Sequence, residues 1–305
     1  MSALRIGTRG SELALAQAEE VRALLAAEGA EAELVPITTS GDEGTPEAGA
    51  PITAGDERRK ALWIDGILEA LRDGEIDLAV HSAKDLPAED EDDVVIGAVP
   101  ERADPRDVLI LAAEREPGPG VRIGTSSLRR RSQLLAAYPG VQVVELRGNV
   151  PTRLRKVAGG EVDGAVLAAA GLARLGLEPE GARELGVDVM VPAPGQGALA
   201  VQCRAGDRST QAVLTVLDHR PSRLAVGTER ALVRRLAGGC SLPLGAIAAA
   251  KRDTVRLAAV VGAVDGSRIV SAAAEAHEPE RAVALVAEQL LERGGGELLD
   301  GARGA

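Results

Sequence analysis

Short apolar runs alternate with longer amphipathic stretches along the chain, and the changes of period mark its elements. Leu4–Gly7 reads as a strand. The turn Thr8-Arg9-Gly10-Ser11 follows, and a helix runs from about Glu12 to Glu28, with Ser11 as its N-cap and Gly29 as its stop. Ala32–Ile37 is a second strand. From Thr38 to Lys60 the apolar period is lost among Gly, Pro, Thr and acidic residues, which predicts a long mobile loop. Leu62–Asp73 is a helix striped by Trp63, Ile67, Leu68 and Leu71. Ile76–Val80 is a buried-type strand that runs into the polar cluster His81-Ser82-Ala83-Lys84-Asp85-Leu86-Pro87, and Val94–Val99 is the next strand.

A second unit repeats the strand–turn–helix theme. Val108–Ala112 and Val121–Gly124 are strands, Thr125-Ser126-Ser127 opens a helix to Ala137, and Val141–Leu146 is the next strand. The turn Arg147-Gly148-Asn149 leads into a helix with Pro151 in its first turn. Asp163–Ala168 is a strand and Gly171–Gly176 a turn. The charged, Pro-containing segment Pro100–Asp107 and the segment Val191–Gly197 read as crossings between units, with strand Ala198–Arg204 rejoining the first. Helices Arg208–Leu217 and Ser222–Leu236 (N-cap Ser222) follow. Strands Gly245–Lys251, Val255–Val264 and Ser267–Ala274 come next, the last two joined by an Asp265-Gly266 hairpin turn, and helix Pro279–Arg293 comes after them. The expected fold class is α/β: two α/β lobes around a hinged cleft plus a small α+β C-terminal domain. The expected domains are 1–100 with 197–217, then 104–193, then 220–305.

Charge changes this picture in one place. The chain is acidic, with 46 Asp+Glu against 35 Lys+Arg. Yet the window from Val121 to Lys156 carries Arg122, Arg129, Arg130, Arg131, Arg147, Arg153, Arg155 and Lys156 against one acid, Glu145. Arg129 and Arg130 fall in the first turn of a helix, where the helix dipole disfavours cations. An anionic ligand explains them better than helix stability does, and two strand-to-helix turns armed with Arg suggest a cleft for a polycarboxylate or phosphate. The alternative is a solvated basic face with scattered ion pairs. Arg9 repeats the arrangement after the first strand. Asp85, at a strand end beside Lys84, is placed for chemistry, or else is a turn residue.

Composition excludes several classes. With no Phe, one Trp and one Tyr, base stacking on nucleic acid is not expected, and the negative charge argues the same way. No run is apolar enough to span a membrane, and MSALRIGTRGS lacks the apolar core of a signal peptide. Two cysteines, Cys203 and Cys240, make a disulfide framework improbable and suit a reduced, cytoplasmic setting. His81, His219 and His277 are too dispersed to suggest a zinc site, so no metal is expected.

Eight motifs in order carry a family resemblance: TRGS with Arg9 and Ser11, VHSAKDLP around Asp85, ADPRD, GTSSLRR, LRGNVPTR, AGLARLGL, PGQGA and GGCSLPLG around Cys240. The chain resembles the porphobilinogen deaminases, also called hydroxymethylbilane synthases, over nearly its whole length. The resemblance implies a three-domain monomeric transferase of tetrapyrrole (heme) biosynthesis with its cleft between the first two domains. It implies a dipyrromethane cofactor, built from two porphobilinogen units and thioether-linked to Cys240. Four porphobilinogens would be added head to tail with loss of ammonia, and hydrolysis would release linear hydroxymethylbilane.

On this reading Asp85 is the catalytic acid that stabilises the methylene-pyrrolenine cation. Cofactor and substrate carboxylates would meet Arg9, Ser11, Ser82, Lys84, Thr125, Ser126, Ser127, Arg129, Arg130, Arg147, Gly148, Arg153, Arg174 and Gln196. Cys203, inside a strand, fits a buried structural thiol. One region departs from the family, which has Gly-Gly-Lys-Gly-Leu-Phe with a lysine shortly before it. Here Asp56–Gly66 keeps Lys60 and an aromatic, Trp63, but not the glycines or the upstream lysine. Arg58 or Arg59 could substitute, making the loop a lid with a basic end, or the loop is an exposed insertion. Two other readings compete: a non-catalytic hinged anion-binding protein like the periplasmic binding proteins, and a lapsed paralogue.

Overall fold

The computed structural model describes residues 3–37, 56–89, 91–112, 115–236 and 242–303, the side chains of 56–63 excepted. The first lobe is built from β1 (Leu4–Arg9), α1 (Glu12–Ala27), β2 (Ala32–Ile37), α2 (Asp56–Arg72), β3 (Leu78–Ser82) and β4 (Val94–Ala98). The second holds β5 (Asp107–Leu111), β6 (Arg122–Gly124), α3 (Leu128–Ala137), β7 (Gln142–Val144), α4 (Val150–Ala158), β8 (Gly164–Ala168), α5 (Ala169–Arg174) and β9 (Ala182–Leu185). The chain then returns through β10 (Leu199–Arg204) and α6 (Arg208–Leu214). It ends in α7 (Arg220–Arg235), β11 (Leu244–Lys251), β12 (Thr254–Gly262), β13 (Ile269–Ala276), α8 (Pro279–Glu292) and α9 (Gly295–Arg303).

The two lobes have one plan. The sheets are ordered β2-β1-β3-β10-β4 and β7-β6-β8-β5-β9. In each, the first three positions are mutually parallel, and the fourth strand runs antiparallel to both its neighbours. That fourth strand is the one a crossing delivers: β5 after the outward segment, β10 after the return. The parallel strands therefore point their C-terminal ends, where open α/β sheets bind ligands, toward the space between the lobes. Apolar clusters lie on both faces of the first sheet, one under α1 and one under α2. The third sheet, β11-β12-β13, is antiparallel and buries one face under α7, α8 and α9.

Glycines of the return crossing are required by its geometry. Gly195 and Gly197 have φ of 76° and 86°, a region L side chains rarely adopt. A Cβ on Gly197 would stand 2.5 Å from the Ala103 carbonyl oxygen, and one on Gly195 2.9 Å from the Lys84 amide nitrogen. The two crossings thus touch backbone to backbone, one of them directly behind Asp85.

Several elements differ from the sequence expectation. Helix α2 already begins at Asp56, inside the stretch expected to be loop, because Glu-Arg-Arg-Lys-Ala-Leu is a run of good helix formers and the acids Asp56 and Glu57 suit the first turn. Arg58, Arg59, Lys60 and Trp63 are therefore on α2; residues 38–55 and Cys240 lie outside the described residues. The expected turn from Gly171 belongs in part to the short helix α5, and β9 and α9 were not anticipated. Ser222 is not an N-cap: α7 starts earlier, with Pro221 in its first turn, and the Ser222 hydroxyl accepts from the Arg102 N–H at 2.8 Å.

One buried carboxylate joins both crossings to the third lobe. Glu229, on α7 with no solvent exposure, accepts from Arg102 Nη1 (2.7 Å), the Gly195 N–H (2.6 Å) and the Ala248 N–H (2.7 Å). Glu229→Ala would leave the mostly buried Arg102 with the Gln196 carbonyl but without its counter-charge, so unfolding free energy in urea should fall by about 3–5 kcal/mol. A loss no larger than an exposed pair gives, about 1 kcal/mol or less, would show that the crossings are held by other contacts.

Candidate functional site

A cavity of about 600 Å³ opens between the lobes and is walled by all three. Its size falls in the ordinary range for small-molecule sites. Much of its wall comes from strand ends. β1 delivers Arg9, and Ser11 begins α1, its hydroxyl accepting from the Ala14 N–H at 3.3 Å. β3 delivers Ser82, then a single tight helical turn, Ala83–Asp85, sets half-buried Lys84 and Asp85 in the wall. From the second lobe come Ser126, Ser127, Arg129 and Arg130 after β6, and Arg147, Gly148 and Arg153 after β7. Arg174 on α5 and Gln196 of the return crossing complete that side. The third lobe contributes Arg230, Val233, Leu242 and Leu244.

Nearly all the sequence-expected residues meet here. Thr125 does not: it is fully buried, its hydroxyl accepting from the Ser127 N–H at 3.2 Å, and so it shapes the turn rather than the cavity. Ser127 caps α3 by accepting from the Arg130 N–H at 3.4 Å, and Ser126 donates to the Leu146 carbonyl at 2.6 Å.

The arginines are less available than the sequence suggested. Arg129 and Arg130 are buried, and the anion that explains them is internal. Asp107, at zero exposure, accepts from Arg129 Nη1 at 2.8 Å, Arg130 Nη2 at 2.7 Å and Gln196 Nε2 at 2.9 Å. Burial alone would raise the Asp107 pKa, but the charges and hydrogen bonds of the two guanidiniums outweigh it and hold the carboxyl well below its ordinary value. Arg147 pairs with Glu145, and Arg153 Nε donates to the Gly148 carbonyl at 2.8 Å. Arg174 Nε donates to Glu20 at 2.7 Å, and its Nη2 to the Gly197 carbonyl at 3.1 Å.

Sequence reasoning missed Gln17, Arg230 and Asp107. Gln17 is buried on α1 and donates to the Ser82 hydroxyl at 2.7 Å; its helical spacing from Leu13, on the cavity side, was the available signal. Arg230 donates to the Pro87 carbonyl at 2.7 Å and clamps the segment after Asp85. In the sequence Asp107 is one charge among several in the outward crossing. Cys203 is fully buried in β10, as expected of a structural thiol.

The cavity thus offers N–H cations for several carboxylates and, in Asp85 just past the end of β3, a carboxylate for a cationic or N–H-bearing group. That donor set fits a dipyrromethane, whose pyrrole N–H groups and acidic side chains need the two kinds of partner together. A family model described as "Porphobilinogen deaminase, dipyromethane cofactor binding domain" matches residues 4–212, and "Porphobilinogen deaminase, C-terminal domain" matches 223–292. The porphobilinogen deaminase of Brevibacillus brevis is 43% identical over 98% of this chain and 97% of its own. The chain belongs to the porphobilinogen deaminase family. The porphobilinogen deaminase of Syntrophotalea carbinolica is 45% identical over 98% of this chain and 95% of its own. That of Desulforudis audaxviator is 46% identical, with 96% of each chain covered. A solved amino acid ABC transporter substrate-binding protein from Streptococcus pneumoniae covers 77% of the chain at 12% identity and a TM-score of 0.38, too distant to carry an argument.

The family motif VHSAKDLP contains one group that faces away from the cavity. His81 is 7% exposed, and its Nε2 has no hydrogen-bond partner among the described residues. Burial lowers its pKa to about 4 from 6.5, against the opposing charge of Asp85. The folded protein therefore keeps His81 neutral between those values, while the unfolded chain protonates it. More protons bind to the unfolded state, so stability falls as pH drops from 6.5 toward 4. The loss should be about 3 kcal/mol, and His81→Leu should remove most of it in urea titrations across that window. An unchanged pH slope in the variant would assign the loss to other groups.

Proposed function

We propose that this chain is a hydroxymethylbilane synthase, joining four porphobilinogens head to tail with loss of ammonia and releasing the linear tetrapyrrole by hydrolysis. The observation that carries this reading is the cavity itself. Arginines from all three lobes line it, Asp85 stands in the wall, and so does Leu242, two positions after Cys240 in the sequence. The dipyrromethane, when bound there, supplies the pyrrole carbon to which the first substrate is joined. Arg9, Lys84, Arg147, Arg153 and Arg174 would take its carboxylates and those of the substrate, with Ser11, Ser82, Ser126, Ser127 and Gly148 filling the turns between them. Arg129 and Arg130, held by Asp107 and Gln196, form the fixed back of the cavity and present their remaining N–H groups.

Asp85 has a different task. Loss of ammonia from porphobilinogen leaves an electron-poor methylene-pyrrolenine. A fixed carboxylate that accepts the pyrrole N–H stabilises that positive charge, and needs no reorganisation to do so. Around it the arginines orient the ring through its acetate and propionate, which converts an encounter into an aligned reaction.

We read the units as 1–100 with 197–217, 104–193 and 220–305, the enzyme as a cytoplasmic monomer, and nucleic acid as no partner; the acidic surface and scarce aromatics support the last point. A non-catalytic anion-binding protein is the alternative, and the Cys240-bearing lobe argues against it.

Intact-mass spectrometry of the purified protein tests the assignment. The parent and Cys203→Ser should carry the added mass of two porphobilinogen units, and Cys240→Ser should not. Retention in Cys240→Ser would overturn the attachment, and bare parent polypeptide would favour the binding protein. Asp85→Ala should keep the fold by circular dichroism and lose roughly 2.7–4 kcal/mol of transition-state stabilisation, a hundredfold or more in kcat. Near-parent turnover would place the charge stabilisation elsewhere.

A further inference from the structure

The cavity arginines are held by internal carboxylates of very different accessibility. Asp107 is wholly enclosed and bonded to three side chains. Glu20 is not. Its side chain is 36% exposed, and Arg174 is its hydrogen-bond donor among the described residues. The Arg174 side chain that it holds is 8% exposed and in the cavity wall. Glu20 lies on α1 one turn beyond Gln17, which is itself in that wall, and Arg174 lies at the end of α5. Their ion pair therefore joins the first lobe to the second beside the return crossing, where Arg174 also reaches the Gly197 carbonyl.

We propose that Glu20 is an exchangeable stand-in for a ligand carboxylate: it occupies Arg174 and ties α1 to α5 until an acidic side chain of the pyrrole ligand displaces it. This rests on the reading that the cavity takes a carboxylate-bearing chain. The exchange is neutral in charge. One carboxylate leaves Arg174 for water, another arrives, and no covalent bond changes. Glu20 can be released because it is already partly hydrated and loses one partner, whereas freeing Asp107 would strand two buried cations. The Gly197 contact keeps the guanidinium aimed during the exchange. Each arrival at Arg174 also removes one tie between the lobes, so binding at this arginine and separation of α1 from α5 are the same event.

A competing carboxylate weakens ligand binding, and its removal should strengthen it. In the holoenzyme, Glu20→Gln should lower KM for porphobilinogen with kcat no higher than the parent's. The fall should be about twofold to fivefold, the range a half-exposed ion pair commands. Intermediates separated on native gels should persist longer in the variant. If Glu20 only props Arg174 in place, the same change raises KM, and that result, or an unchanged KM, overturns the proposal. Glu20→Asp, one methylene too short for the contact, should shift KM in the same direction and serves if the Gln variant folds poorly. Parent protein that makes no hydroxymethylbilane would overturn the functional reading itself, and the exchange with it. An active parent with a parent-like Glu20→Gln variant sinks the exchange alone.

Discussion

The site depends on one buried anion. Asp107 sits on β5, the strand that the outward crossing lays into the second sheet, and it accepts from Arg129, Arg130 and Gln196. No member of that group could be buried alone, because the effective cost of desolvating an unpaired ion is several kcal/mol even after relaxation. Burying them together fixes the N-terminus of α3 against the return crossing, since Arg129 also donates to the Val191 carbonyl at 2.7 Å. The unfavourable helix-dipole position of Arg129 and Arg130 is offset by this carboxylate before any ligand arrives. The back of the cavity is therefore assembled by folding, not by binding.

Glu229 plays the corresponding part at the other end of the crossings. It gathers Arg102 of the outward segment, Gly195 of the return and Ala248 of β11 onto one carboxylate. Any relative movement of the two lobes must pass through segments anchored there and at Asp107. The third lobe is consequently not an appendage carrying a cysteine. It holds the crossings that set the cavity's width, and through Arg230 it also holds the segment next to Asp85.

How much of this was legible follows from sequence distance. Elements with a strong period, such as β2 and α1, were readable almost to the residue because local patterning and capping agree there, whereas β1 continues through Thr8 and Arg9, which read as turn residues. Three of the four residues of β9 are exposed, so it shows no apolar face to detect. α5 has six residues, too few for a helical period to emerge. α9 starts among the glycines that otherwise mark a helix stop. Ser222 misled because the hydroxyl type is right for a cap, while Pro221 was the better marker of the first turn. In the site, the arginines were visible because they stand against the chain's own charge. Their partners were not: Asp107 lies 22 positions from Arg129, Glu229 lies 127 from Arg102 and Glu20 lies 154 from Arg174. Pairings over such separations are created by topology, and no local pattern encodes them.

An acidic protein with a formal charge of −11 that binds polyanions would be a contradiction if charge acted as a net quantity. It does not, because at physiological ionic strength the Debye length is about 8 Å. A ligand inside the cavity feels the guanidiniums around it, while most surface carboxylates are screened. Internal carboxylates then determine how much of each guanidinium's field is left. Asp107 spends part of Arg129 and Arg130 on architecture. Glu145 and Glu20 temper Arg147 and Arg174 more reversibly, since both carboxylates retain some exposure. A lining of unopposed arginines would hold a polycarboxylate too firmly to let it advance, and a fully neutralised lining would not hold it at all. Acids of differing burial therefore leave these arginines with graded fields toward the cavity.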